Sequence, residues 1–219
     1  GPMSPSGVVL DLDDQLPELE ATSDDIERML GIIDQEIFPI TEQGVAKGNK
    51  MFGAAILDSD LKTKVVETNS ELTSPLFHGE VHAIYQWSKV VPAGERGPSA
   101  RSGVFLSTHE PCCMCISSIV WTGFQRVYYL FPYEATKAQG IPYDINIMHE
   151  LWGVESYRKQ SKFCSTACLI DLVESLPDSD VKKEGLRVKI EELTKKYEQV
   201  SNKYHSEKSE NTENSLAFG

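Results

Sequence analysis

The sequence predicts an α/β protein: three layers, α/β/α, with a central mixed sheet, helices on both faces and a C-terminal helical extension. Three observations carry this. Short apolar runs at 51–57, 104–107 and 126–130 have the length of buried strands. The segments between them, 78–90 and 112–121, read as helices. Strand, helix, strand, helix, strand in that order implies parallel crossovers, while the turn Asp58-Ser59-Asp60 folds the first strand back on a second at 64–68 as a hairpin.

Taken in order, residues 3–22 are rich in Ser, Pro, Asp and Leu without a clear period, which suggests a flexible arm or a strap. Gly1-Pro2-Met3 reads as a protease scar before a start Met, so residues 1–2 stand outside the fold. Ser23 can cap a helix whose first turn holds Asp24, Asp25 and Glu27, and Ile26, Met29, Leu30, Ile33 and Ile37 follow at helical spacing. That helix is expected to run to Pro39 or to continue, kinked, toward Gly44. The second strand ends at Asn69, and a loop containing Pro75 leads into helix 78–90, with Val81, Ile84 and Tyr85 on one face. Residues 91–102 read as loop. Helix 112–121 stops at Gly123. Beyond the strand at 126–130, short helices are expected at 145–151 and 164–176, the latter stopped by Pro177. Residues 181–204 form a charged amphipathic helix with Leu186, Ile190, Leu193, Tyr197, Val200 and Tyr204 at alternating spacings of four and three. The expectation is a helix strapped onto its own domain, with a dimer-forming helix as the alternative. The implied organisation is an arm at 1–22, a main domain at 23–176, the amphipathic helix at 177–205 and a disordered tail at 206–219.

Composition narrows the function. With 219 residues, 40% of them hydrophobic, the chain can bury one sizeable core. A net charge of -12 repels a phosphate backbone, so bulk nucleic-acid binding is disfavoured and small neutral substrates are the easier expectation. No run approaches the ~20 apolar residues of a membrane span, and no basic-then-apolar signal segment is seen, which predicts a soluble, cytoplasmic protein. Of five cysteines, Cys112, Cys113 and Cys115 sit within four residues, a spacing suited to metal rather than to a disulfide framework. Cys164 and Cys168, without His or Cys neighbours, read as buried structural thiols.

The chemistry centres on Pro111-Cys112-Cys113-Met114-Cys115 and, upstream, His78-Gly79-Glu80. Cys112 and Cys115 lie about one helical turn apart and can grip one ion; His78 supplies a third ligand. Three protein ligands and one open position are the pattern of a catalytic Zn2+. Glu80, two residues from His78, is then the catalytic carboxylate that shuttles protons between water, ring nitrogen and leaving amine. A closed structural site, completed by Cys113, His82 or His109, is the competing arrangement. His-x-Glu followed by Pro-Cys-x-x-Cys is a known signature of zinc deaminases.

On these residues the chain resembles the cytidine deaminase-like superfamily of zinc aminohydrolases, from about Ser23 to Gly153. Glu110-Pro111-Cys112-Cys113-Met114-Cys115 is similar to the motif of guanine and tRNA adenosine deaminases, while His78-Gly79-Glu80 departs from their His-Ala-Glu and is similar to fungal cytosine deaminase. Lys50-Met51-Phe52-Gly53-Ala54 resembles the family's opening strand. The resemblance implies a homodimer or tetramer, Asn69 and the Gly79 N–H as contacts to the substrate's ring, and a substrate role for Asp144 by a loose, one-residue-shifted match. Phe77 is expected either to wall the base pocket or to be an ordinary packing aromatic. The function expected is hydrolytic removal of an exocyclic amine from a nucleobase or small nucleoside, guanine- or cytosine-like. The rivals are a nucleotide or tRNA adenosine deaminase, and an inactive scaffold that keeps the fold.

Overall fold

In the computed structural model, which describes residues 14–208 and 210, the apolar runs become β1 (Gly53–Leu57), β2 (Thr63–Thr68), β3 (Val104–His109) and β4 (Arg126–Phe131). A fifth strand, β5 (Ser165–Cys168), completes one sheet of order β2-β1-β3-β4-β5 among the described residues. β1 runs antiparallel to both neighbours, and β3, β4 and β5 are parallel. The sheet is therefore mixed, as the hairpin and the crossovers require.

Successive residues of a strand face opposite sides, and here they feed two different cores. Ala54 and Ile56 of β1, Phe105 of β3 and Val127 of β4 pack with Ala83, Trp87, Ala100 and Ile119. These come from α3 (Gly79–Val90), α4 (Arg96–Ser102) and α5 (Cys113–Thr122). Ala55, Leu57, Leu106, Tyr128 and Leu130 face the other way. They meet α1 (Ser23–Ile32), α8 (Leu169–Glu174) and α9 (Lys183–Glu207). A π-helical stretch, Ile33–Ile37, joins α1 to α2 (Phe38–Ala46). Between β4 and β5 lie α6 (Tyr133–Ala138) and α7 (Tyr143–Trp152).

The first helix thus takes the kinked course toward Gly44: the π stretch absorbs the irregularity just before Pro39, which sits in the first turn of α2. Its cap is Thr22 rather than Ser23, in a reciprocal capping box with Asp25.

Two expectations are corrected. Residues 96–102 are helical instead of loop, ending at Gly103. The segment 164–176 is not one helix. Its first half is β5, drawn into the sheet by parallel pairing with β4, and only Leu169–Glu174 is helical. The described part of the N-terminal arm is a strap: the Leu16 N–H donates to the Ser161 carbonyl, Ser165 Oγ to the Pro17 carbonyl and the Tyr128 hydroxyl to the Glu20 carbonyl. Residues 1–13, and the expected tail at 209 and 211–219, lie outside the described residues; 206–207 still belong to α9.

α9 lies on its own body. Leu186, Leu193, Tyr197, Val200 and Tyr204 join the same core as Ile26, Leu30 and Ile33, and Lys189 and Lys196 both pair with Asp34. The apolar seam of 181–204 is consumed within the chain. Among the described residues, no helix is long and apolar enough to cross a membrane.

Beneath α9, the imidazole of His109 is enclosed by Phe52, Phe131 and Tyr197. Nδ1 pairs with Thr108 Oγ1 and Nε2 with Gln139 Oε1. Burial holds its pKa down at about 3, with only the Gln139 bond opposing. Above the unfolded value of about 6.5 neither state carries the proton. Below it the unfolded chain is protonated and the folded one is not, so stability falls with pH by up to about 1.4 kcal/mol per unit until the folded pKa is reached.

Two measurements follow from this packing. Denaturant titrations between pH 7 and 5 should show a shallower loss of stability in His109→Gln than in the parent; equal slopes would contradict a buried neutral imidazole. Leu193→Ala, which empties a fully buried site, should cost about 2–5 kcal/mol and lower Tm by roughly 2–4 °C for each kcal/mol. A change below 1 °C would mean that α9 does not carry part of the core.

Candidate active site

Two helix starts converge at the ends of the sheet. His78 is the N-cap of α3 and Cys112 the N-cap of α5, both with extended backbone, and neither side chain caps its own helix. Each turns instead toward the other, and Cys115 joins them from the first turn of α5. His78 Nδ1 lies 3.6 Å from the Sγ of Cys112 and 3.6 Å from the Sγ of Cys115. One donor atom from each of the three falls within 4.8 Å of the others, the one such group of three among the described residues. Tetrahedral zinc with Zn–S near 2.3 Å and Zn–N near 2.0–2.1 Å requires S···N edges of roughly 3.6 Å, so the spacing fits the ion.

The electrostatics agree. Burial lowers the pKa of His78, but the hydrogen bond and charge of Cys112 outweigh it and push the imidazole up to about 9. Cys112 is held well below the ordinary thiol range, first by the hydrogen bond from Cys115 and, against burial, by His78. Burial pushes Cys115 up, reinforced by Cys112. A positive charge shared among these three atoms relieves the conflict, and two helix N-termini aimed at them favour thiolate. The donor set suits Zn2+.

Glu80, buried in the first turn of α3, does not belong to the donor group. Its Oε2 lies 3.5 Å from Cys115 Sγ, while Oε1 accepts a hydrogen bond from Ser107 Oγ at 2.9 Å. Burial, then the charge of Cys112, raises its pKa, so a protonated form is accessible. A cavity of about 470 Å³ reaches His78 and Cys112 from outside, with Lys50, Glu71 and Asp144 among its polar walls and Ile147 and Trp152 among its apolar ones. Cys115 and Glu80 lie deeper. Burial and the charge of Cys112 push Asp144 up to about 8, against His78 and Lys50.

The remaining expected residues divide. Asp144 lines the cavity. Asn69 and Gly79 do not, because they are bonded to each other: the Gly79 N–H donates to Asn69 Oδ1 at 2.5 Å, and Asn69 Nδ2 donates to Glu71 Oε1 at 2.7 Å. Phe77 is a packing aromatic, stacked on His82 and tilted against Tyr85 rather than walling the cavity. The three candidate fourth ligands stand apart from the donor group. His82 pairs with the Thr68 carbonyl and Glu67, His109 with Thr108 and Gln139, and Cys113 faces the cavity. Three ligands and an open face remain.

Sequence reasoning missed the supports. Ser107 holds Glu80 from β3. Glu71 accepts from the Lys50 N–H and from Asn69. Glu110, buried, is paired with Lys159 at 2.5 Å and accepts from the Tyr133 N–H, and the Tyr133 hydroxyl donates to the Pro111 carbonyl. Together they clamp the loop that presents Cys112. The one signal available was Glu110 itself, an acid between a buried strand and a motif Pro, which needs a cation from somewhere in the chain.

Residues 35–131 match the family model described as the cytidine and deoxycytidylate deaminase zinc-binding region. No curated protein matches the sequence. Among solved structures, the chain is similar to a variant of the protein NE0047 in complex with 8-azaguanine, at 14% identity over 84% of this chain and 88% of that one, with a TM-score of 0.51. It is also similar to guanine deaminase from Bacillus subtilis, at 23% identity over 60% of this chain and 83% of that one, TM-score 0.47. A dCMP deaminase from the cyanophage S-TIM5 shares 20% identity over 62% of this chain and 97% of that one, TM-score 0.33. The matched region runs to the last residue of β4 and holds every donor of the cluster, so this part of the chain is similar to the zinc-binding region of cytidine and deoxycytidylate deaminases, and its His/Cys/Cys cluster suits Zn2+.

Proposed function

We propose that the protein hydrolyses an exocyclic amino group, released as ammonia, from a free nucleobase or small nucleoside of guanine or cytosine type. The observation that carries this reading is Glu80: a buried carboxylate outside the donor group whose Oε2 faces the cluster while Ser107 holds the other oxygen. Zinc held by His78, Cys112 and Cys115 would supply a Lewis acid that lets water attack near neutral pH. Glu80 takes the proton of the attacking water at Oε2. It passes this proton to the ring nitrogen beside the carbon under attack, and then helps protonate the amine as the C–N bond breaks. Water supplies the carbonyl oxygen, ammonia leaves, and no further reactant is needed.

Asp144 faces the ring edge in this reading. With its pKa near neutrality it can donate as well as accept. Asn69 and Gly79 act one step back, fixing how α3 enters the site. The protein would work as a homodimer, supported by the exposure of Trp121 on α5 and Val90 on α3, which lie on the same outer layer.

Two measurements test the reading. Ammonia release should be detected with at least one base or nucleoside in a screen of bases, nucleosides and nucleotides, and Glu80→Gln should lower it by at least about 10²-fold while binding one zinc per chain as the parent does. Zinc loss in Glu80→Gln would make Glu80 a ligand, and no ammonia from any compound would favour a scaffold. Sedimentation equilibrium should give a dimer that Trp121→Glu converts to monomer; a parent that sediments as a monomer removes the dimer from the reading.

A further inference from the structure

The cavity has two parts of different chemistry. Its inner end meets the donor cluster and holds Lys50, Glu71 and Asp144. Its mouth is walled by Leu76 from the loop before His78, and by Ile147, Leu151 and Trp152 from α7. Leu76, Leu151 and Trp152 are 59%, 67% and 56% exposed, so the chain leaves large apolar side chains in water around the entrance to a polar site. Isolated exposed apolar residues need no explanation, but several rimming one cavity mark a binding surface.

The polar residues decide what the mouth does not hold. Among the described lining residues, Lys50 is the one Lys or Arg, and the charges of Glu71 and Asp144 both act on it. Glu71 is itself fixed, by the Lys50 N–H and by Asn69. A lysine already offset by the Glu71 carboxylate offers a phosphate little net attraction. A ribose lying against Leu76, Ile147 and Leu151 would find no hydrogen-bonding partner in those three side chains, and unmet hydroxyls are costly where water is displaced. The volume of about 470 Å³ lies within the range that encloses drug-sized ligands, roughly 300–1,000 Å³.

Resting on the reading of this site as a deaminase, we infer that its substrate is a free amino-bearing ring carrying an apolar substituent, with the ring at the donor cluster and the substituent between the 75–76 loop and the Ile147–Leu151–Trp152 face of α7. Nucleotides and tRNA are then not its substrates. The inference turns the exposed rim into a specificity element and gives α7 a role that the zinc motifs do not contain.

The test holds the ring constant and changes one substituent. Guanine, adenine and cytosine are each titrated by calorimetry into zinc-loaded Glu80→Gln protein in four forms: the bare base, the base benzylated at the position that carries the sugar, the nucleoside and its monophosphate. Each buried methylene is worth about fourfold in affinity. The benzyl form of the accepted ring should therefore bind roughly tenfold or more tighter than both the bare base and the nucleoside, with the monophosphate weakest. Leu151→Ser combined with Trp152→Ser should bring the benzyl-to-bare ratio close to one. The inference is overturned if the nucleoside or monophosphate binds tightest, if the benzyl gain is absent, or if it survives the double substitution. The same series run as substrates of the parent protein repeats the comparison in kcat/KM, so it stands even if Glu80→Gln does not fold. Ammonia released from bare base without a benzyl gain overturns this inference alone. No ammonia and no binding of any ring overturn the deaminase reading with it.

Discussion

The site exists because the start of α3 lies almost against the backbone of β1. A Cβ on Gly79 would stand 2.7 Å from the Gly53 Cα and 3.0 Å from the Phe52 carbonyl oxygen, and one on Gly53 would stand 2.4 Å from Ile37 Cγ2. Neither position has room for a side chain, and at Gly79 the obstacle is backbone, which cannot rotate away. This explains why the sequence reads His-Gly-Glu. The glycine is the spacing that lets α3 sit deep enough for His78 Nδ1 to stand 3.6 Å from both sulfurs. The Asn69 bond to the Gly79 N–H fixes the same approach from the side. The resemblance assigns that N–H and Asn69 to the substrate; in this structure the two are bonded to each other, and that bond steadies the frame on which the ligands stand.

A second chain of contacts connects the site to the opposite layer. His109 ends β3 two residues before the motif proline, and its Nε2 meets Gln139. The Gln139 carbonyl in turn accepts from His205 Nε2 and Ser201 Oγ of α9. Gly140, with φ of +81°, turns the chain immediately afterward, with the His205 ring 3.1 Å from where a Cβ would be. Ile141, Tyr143 and Asp144 of the cavity follow. The C-terminal helix therefore packs the core and also sets where the cavity's far wall begins.

The donor cluster and the buried carboxylate beside it were legible because their placement is local: Cys112 and Cys115 lie one turn apart, and His78 and Glu80 share the start of one helix. The sheet core was legible because its strands are continuous apolar runs. β5 was not, because Ser165-Thr166-Ala167-Cys168 is short and small-sided, and it becomes a strand only by pairing with β4. From sequence, the segment at 14–22 reads equally as arm or strap, because its order comes from hydrogen bonds to residues more than a hundred positions away. Phe77 could be read either way because an aromatic beside a ligand has two directions to face. Its partners His82 and Tyr85 lie on the next turn of α3, and only the entry angle of that helix decides between them.

The charge of the chain illustrates the same division between local and distant information. A net charge of -12 predicts an anion-repelling surface, yet the buried acids near the site are each provided for. Glu110 has Lys159, whose ammonium also lies over the ring of Tyr157 at 4.6 Å and the ring of Tyr129 at 5.4 Å. Glu71 has the Lys50 N–H and Asn69, and Glu80 has Ser107. Leaving any of them without a partner would cost several times what the pairing gains. These partners come from β3, from the edge of β1 and from the segment before β5, so the motif residues are held from several directions at once. Net charge therefore predicts what stays away from the surface, while what the cavity accepts depends on a few paired groups whose partners only the fold brings together.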